Sequence, residues 1–440
     1  MDRATKKKLI KDCKVNEPIP KGDRRHFNFD KPELELRGRL WRHRVADVIS
    51  LANESTTQIV TGLSGSGKST ELKLLQSDLQ EEGFQVVLAD AASWIRDDQP
   101  ITTRDILLAL ILALYPSGRP DSGVGWLTEY AKQVWEFLQS ETKITQLGLK
   151  GGITEVKAEL TTNDTLFQQV ARQLGELQSF REQVFDLLNT AARAADRAGS
   201  PLVLILDGIE KRATGDLSGS EERERFRMHW FGAFLTNARD LQPPVHVVYT
   251  VPPFMIRRAS ELSAGFGTEV QFLPMVRMFQ RELAADGRPQ LHEPGARAMR
   301  DALFLRVPKE HFEHPAVAAW LAVHSGGYMR DLLRLVIDCI FQVPAGQRIT
   351  RDLADQAIIQ LRQSYREGLE LQYESLLRQV HENREFPMDA SNREYMDSLL
   401  QGYLMLRYHN HTSWYDAHPL LWRRLEIEGP TWDEIVTFDL

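Results

Sequence analysis

Eight consecutive residues, Gly62-Leu63-Ser64-Gly65-Ser66-Gly67-Lys68-Ser69, constrain this chain more than any other stretch. They match the pattern G-x-x-x-x-G-K-[ST] in its required setting, a β-rich run (TQIVTG) before and a helical run (Ser69 to Glu82) after. Glycines let the backbone curl so that successive N–H groups converge on phosphate oxygens, and the helix N-terminus adds partial positive charge. Lys68 is then positioned to bridge β- and γ-phosphates and the Ser69 hydroxyl to hold Mg²⁺. Gly62, Ser64, Gly65, Ser66, Gly67 and Thr70 complete a cradle for ATP.

The rest of the first half keeps the rhythm such a loop needs. FQVVLAD, PLVLILD, VHVVYTV and EVQFLPM read as further strands, with helices at Arg104 to Tyr115, Leu166 to Ala198 and Arg223 to Arg239 between them. Alternating strands and helices predict a parallel sheet with crossover helices, and uniformly apolar runs predict strands buried on both faces. Thr145 to Leu160, near-alternating around Gly151-Gly152, predicts an inserted β-hairpin. Beyond residue 275 helical sequence dominates (Ala316 to Ile340, Thr350 to Gln379). Tyr403 to Trp422 then suggests two strands and a turn of winged-helix type. The expected fold class is α/β: a parallel-sheet P-loop NTPase core with a β-hairpin insertion, then an all-α lid and a C-terminal winged-helix-like module. The expected domains are a basic extended arm (1–34), the core (35–275), the lid (276–362) and the C-terminal module (363–440).

A length of 440 residues and 42% hydrophobic residues allow two to three domains and exclude wholesale disorder. Residues 1–44 hold 14 Lys and Arg against 7 Asp and Glu, while the whole chain is at −7. The positive end suggests a partner-binding arm or a solvated tail, and the overall balance excludes a histone-like coat. Two cysteines, Cys13 and Cys339, cannot build a disulfide framework or a Cys-based zinc site. With no signal-like apolar region and no long apolar helix, the reading is cytoplasmic with no membrane partner.

Asp207 closes VLILD, where a P-loop needs a carboxylate to help hold Mg²⁺. Glu210, three residues on, is placed to orient or deprotonate water. Gly208 stands where an Asp-Glu pair is common, which predicts slow hydrolysis.

With DGIE following the P-loop, the chain resembles AAA+-related ATPases of the STAND branch (NACHT and NB-ARC switches), with relatives among origin-recognition and transposition ATPases. That resemblance implies a sensor 1 role for Thr250, against which stands a strand-end threonine in a local bond. Arg330, in SGGYMRDLLRL, is similar to the sensor 2 arginine, against which stands a solvated helix face. It further implies that Gly38 and Arg39 of LRGRLWRH line the adenine pocket. Arg257 or Arg258 would supply an arginine finger, and His418 of WYDAHPLLWRRL would contact bound ADP unless it is an ordinary core histidine. The implied function is an ATPase whose nucleotide state controls homo-oligomeric assembly and an effector protein partner, in antiviral defence. The alternative is an initiator- or transposition-like ATPase that binds nucleic acid through the basic arm and Arg407, Tyr408, Arg423 and Arg424.

Overall fold

The apolar runs that dominate the first half become strands of a single sheet. The computed structural model describes residues 1–38, 41–94, 100–114, 133–134, 136, 171, 177–210, 220–389 and 392–438. The expected hairpin at 145–160 and Arg39 lie outside them. The described residues fall into two compact units. One comprises 41–61 and 71–272, the other 1–40, 62–70 and 273–440.

The sheet unit contains all or most of helix α2 (Trp41–Leu51), strand β1 (Thr57–Gly62), helix α3 (Lys68–Glu81), β2 (Gln85–Asp90), α4 (Thr103–Ala113) and α5 (Leu177–Arg197), with Gly62 and Lys68 to Thr70 belonging to the other unit. It continues through β3 (Leu202–Asp207), α6 (Ser220–Phe231), β4 (His246–Thr250), α7 (Ala259–Phe266) and β5 (Gln271–Leu273). The strand order is β2-β3-β4-β1-β5, with β2, β3, β4 and β1 paired in parallel. This is the parallel core of a P-loop NTPase, with one strand between the P-loop strand β1 and the Asp207 strand β3. The inner strands β1 and β3 are buried at every position, β3 as its apolar run requires and β1 although TQIVTG is half polar, whereas the edge strand β2 is partly exposed. Helix α4 is buried at every position except Arg104. Its start is fixed by a reciprocal cap in which Thr102 accepts from the Asp105 N–H and Asp105 accepts from the Thr102 N–H.

The other unit begins with a helix, α1 (Arg3–Asp12), capped by Asp2, whose side chain accepts from the Thr5 N–H. The sequence reading left these residues in an extended arm; Leu9 and Cys13, four apart, instead give the segment an apolar edge that is buried. Residues 16–31 form no helix or strand. A second departure lies just past residue 275, where a small antiparallel pair, β6 (Phe279–Leu283) and β7 (Pro289–Leu291), precedes the helices. Then follow α8 (Glu293–Phe304), α9 (Pro315–His324), α10 (Met329–Gln342), α11 (Arg351–Glu367), α12 (Leu371–Asn383) and α13 (Arg393–Gln401). The chain closes with the antiparallel hairpin β8 (Met405–Asn410) and β9 (Thr412–Ala417) and helix α14 (Trp432–Phe438). Helices followed by this hairpin make the C-terminal module winged-helix-like. Among the described residues, no helix is long and apolar enough to cross a membrane.

Candidate nucleotide site

The loop from Gly62 to Lys68 takes a shape that only its glycines permit. Gly65 (φ +86°) and Gly67 (φ +104°) lie in the left-handed region that L side chains rarely adopt. The Ser66 N–H donates to Leu63 O at 3.1 Å and the Thr70 N–H to Gly67 O at 3.0 Å, closing the turn into α3. Lys68, the first helical residue, is buried, and its Nζ donates to Gly62 O at 2.8 Å and Leu63 O at 3.3 Å. The ammonium is therefore held inside the loop, beside first-turn amides that a helix cannot satisfy internally. Ser69 follows Lys68 in that first turn. The Thr70 hydroxyl accepts from the Ile19 N–H at 3.1 Å.

Within the same unit, three side chains from elsewhere in the sequence close on this loop. Arg330 Nη2 donates to Ser64 Oγ at 2.9 Å, and the Tyr328 hydroxyl donates to Ser64 O. A Cβ added at Gly65 would lie 2.4 Å from Arg330 Nε, so the arginine presses directly on the loop backbone. Burial holds the Tyr328 phenol well above its usual range, keeping it an O–H donor. Tyr328 stacks on Tyr403 with centroids 5.5 Å apart, and Arg330 lies 5.9 Å from the same ring. From the N-terminal side, buried Arg37 donates to Ser66 O at 3.1 Å and sits 4.7 Å over Phe29. Gly38 lies against His409 of β8.

Next to Arg330, Asp331 is fully buried. It accepts from the Tyr365 hydroxyl and lies 3.3 Å from His418 Nε2. The His418 Nδ1 accepts from the Leu420 N–H at 3.1 Å, so both ring nitrogens face groups of this unit, and a phosphate contact would require a rearrangement. Burial opposes the Asp331 charge, but His418, Tyr365 and Arg334 outweigh it and hold the carboxyl below its ordinary range.

In the sheet unit, Asp207 ends β3 and is buried. Gly208 (φ +81°) turns the chain, and Glu210 is buried one turn later. Thr250, at the end of β4 and fully buried, donates through its hydroxyl to Leu206 O at 3.3 Å. The structure thus ties Thr250 to the residue preceding Asp207. Arg257 and Arg258 stack on Phe231 at 5.3 and 5.2 Å, and Arg258 pairs with Glu261.

This donor set fits a magnesium-bound nucleoside triphosphate. The loop supplies left-handed glycines, a helix start and a buried ammonium. The Ser69 hydroxyl at the helix start is a hard oxygen donor of the kind Mg²⁺ uses together with phosphate oxygens and water, and in the sheet unit Asp207 carries donors of the same kind. Tyr328 and Arg37 were not singled out by the sequence, although each lies beside a residue that was: Tyr328 two positions before Arg330, Arg37 next to Gly38.

No protein-family model and no curated protein matches the chain. Among solved structures it is similar to the ORC2 protein of Aeropyrum pernix (ADPNP–ADP complexes). The identity is 14%, the alignment covers 97% of each chain, and the TM-score is 0.39. It is also similar to Cdc6p of Pyrobaculum aerophilum, at 11% identity, 97% of each chain and a TM-score of 0.35. Superpositions this loose leave every residue role to the chain's own geometry.

Proposed function

We propose that the chain is an AAA+-like switch ATPase that binds Mg²⁺-ATP at Gly62 to Ser69 and hydrolyses it slowly. The nucleotide state is read by the helical lid of residues 276–362 and passed to the winged-helix-like module of 363–440. The observation that carries this reading is the double attachment of α10 to the loop, Arg330 and Tyr328 both bonded to Ser64. A guanidinium is planar and permanently charged, so a phosphate entering beside Ser64 competes with the loop for Arg330 and shifts α10. Bound ATP supplies the triphosphate and, with Mg²⁺, the electrophilic phosphorus. With these bound, Lys68 would neutralise phosphate charge, Ser69 and Asp207 would hold the cation, Glu210 would orient and deprotonate water, and Thr250, bonded to Leu206 O, would steady the strand end that carries Asp207.

Arg330→Ala tests the coupling. ATP should still bind, while protection of α10 from hydrogen exchange should no longer change with nucleotide. An unaltered nucleotide response in that variant would remove Arg330 from the pathway.

An initiator-like role on DNA is the second reading, favoured over an effector partner in antiviral defence by the winged-helix-like module and the basic N-terminal helix.

A further inference from the structure

Helix α1 carries more positive charge than its docking uses. Its buried edge is Leu9 with Cys13 at the C-cap, and Lys6 Nζ donates at 3.1 Å to Phe341 O of α10. At 3.6 residues per turn, Arg3, Lys7 and Lys11 share an arc of about 80° on the side facing away from Leu9 and Cys13. Lys8 flanks the arc, Lys14 prolongs it past the helix end, and all five are exposed.

Arg3, Lys7, Lys8 and Lys11 form no ion pair among the described residues. Several of the other arginines that might have met a polyanion are engaged, although Arg423 is exposed. Arg24 pairs with Asp12, Arg25 with Asp23 and Glu17, and Arg424 with Glu374. Arg407 donates to Ser413 and Tyr408 is buried. Like charges four residues apart cost a helix roughly 0.2–0.5 kcal/mol per pair, and Arg3 opposes the dipole at the N-terminus. Helix stability therefore does not account for the stripe.

We infer that this face of α1 binds the phosphate backbone of a nucleic-acid duplex without reading its sequence. From Arg3 to Lys14 the stripe runs about 16 Å, along which a duplex presents one phosphate per about 1.7 Å of axis. A membrane surface is the weaker match, because an interfacial helix inserts its apolar side, and the apolar side of α1 is already buried within the chain. The stripe shares no residue with the nucleotide loop, so the inference does not depend on ATP binding.

The test measures anisotropy of a labelled mixed-sequence DNA duplex with the full chain across a salt series. Arg3→Gln/Lys7→Gln/Lys11→Gln should bind about tenfold more weakly at moderate salt, with a log–log salt slope shallower by roughly two to three. Lys7→Arg/Lys11→Arg should bind as the parent does. The inference is overturned if the glutamine variant keeps the parent's affinity and slope with its helix content unchanged. It also fails if the arginine variant loses binding, if the parent ignores duplex at low salt, or if the parent binds phosphatidylserine vesicles but not duplex.

Discussion

Gly65 is the residue at which the loop is most tightly determined. Its backbone is left-handed and its missing Cβ leaves the space that Arg330 occupies. Gly65→Ala should therefore lower unfolding stability by more than about 1 kcal/mol, measured by urea denaturation; an unchanged midpoint would mean that Arg330 does not press on the loop. Asp331 yields a pH prediction whose sign follows from its depressed pKa. Its carboxylate contributes stability above the ordinary value of 3.8, and that contribution is lost as pH falls through the folded-state pKa. Asp331→Asn should flatten the acid limb of the stability curve and, by disturbing the acceptor for Tyr365, cost about 1–3 kcal/mol at neutral pH. A variant with the parent's acid limb would place the titration elsewhere. Lys68, Ser69, Asp207 and Glu210 were legible in the sequence because their spacing relative to a strand end states where they sit. The contacts of Tyr328 and Arg37 were not, since they depend on which distant segment packs over the loop. His418 was legible as a residue of interest, but its burial against Asp331 follows from tertiary packing.

At the scale of elements, the joint between α9 and α10 governs how the lid meets the loop. A Cβ at Gly327 would lie 1.8 Å from Val276 O, and its φ is +76°. No side chain fits there without moving the start of α10, which carries Tyr328 and Arg330. Gly327→Ala should cost on the order of 2 kcal/mol or more in thermal or urea unfolding, and a stable variant would show that the joint yields freely. The sequence read Ala316 to Ile340 as one helical stretch, and this glycine pair divides it. The strand β3 was legible because burial on both faces makes it continuously apolar, β4 through its VVY run, and β1 through its β-branched residues directly before the loop. The pair β6–β7 was not, because FQREL and PQL, around the turn at Asp286-Gly287, carry too few apolar residues to stand out from polar joints. Helix α1 was hidden for a related reason: its charge dominates its composition, and only Leu9, Cys13 and the Asp2 cap reveal its docked edge.

At the scale of the whole molecule, the account predicts that nucleotide state changes more than the loop. Mass in solution, compared without nucleotide, with ADP and with a non-hydrolysable ATP analogue, should show larger assemblies with the analogue alone. A mass independent of nucleotide would confine the switch to the single chain. Glu210→Gln should retain ATP while slowing its cleavage by about 10²-fold or more, and a parental rate would assign the water-activating step to another group. All of this depends on the loop from Gly62 to Ser69 holding a triphosphate. The most direct test is calorimetric titration of Mg²⁺-ATP into the parent chain and into Lys68→Ala, with circular dichroism to show that both are folded. Saturable binding by the parent, lost in the folded variant, is the predicted result; equal binding by both, or none by the parent, would contradict it.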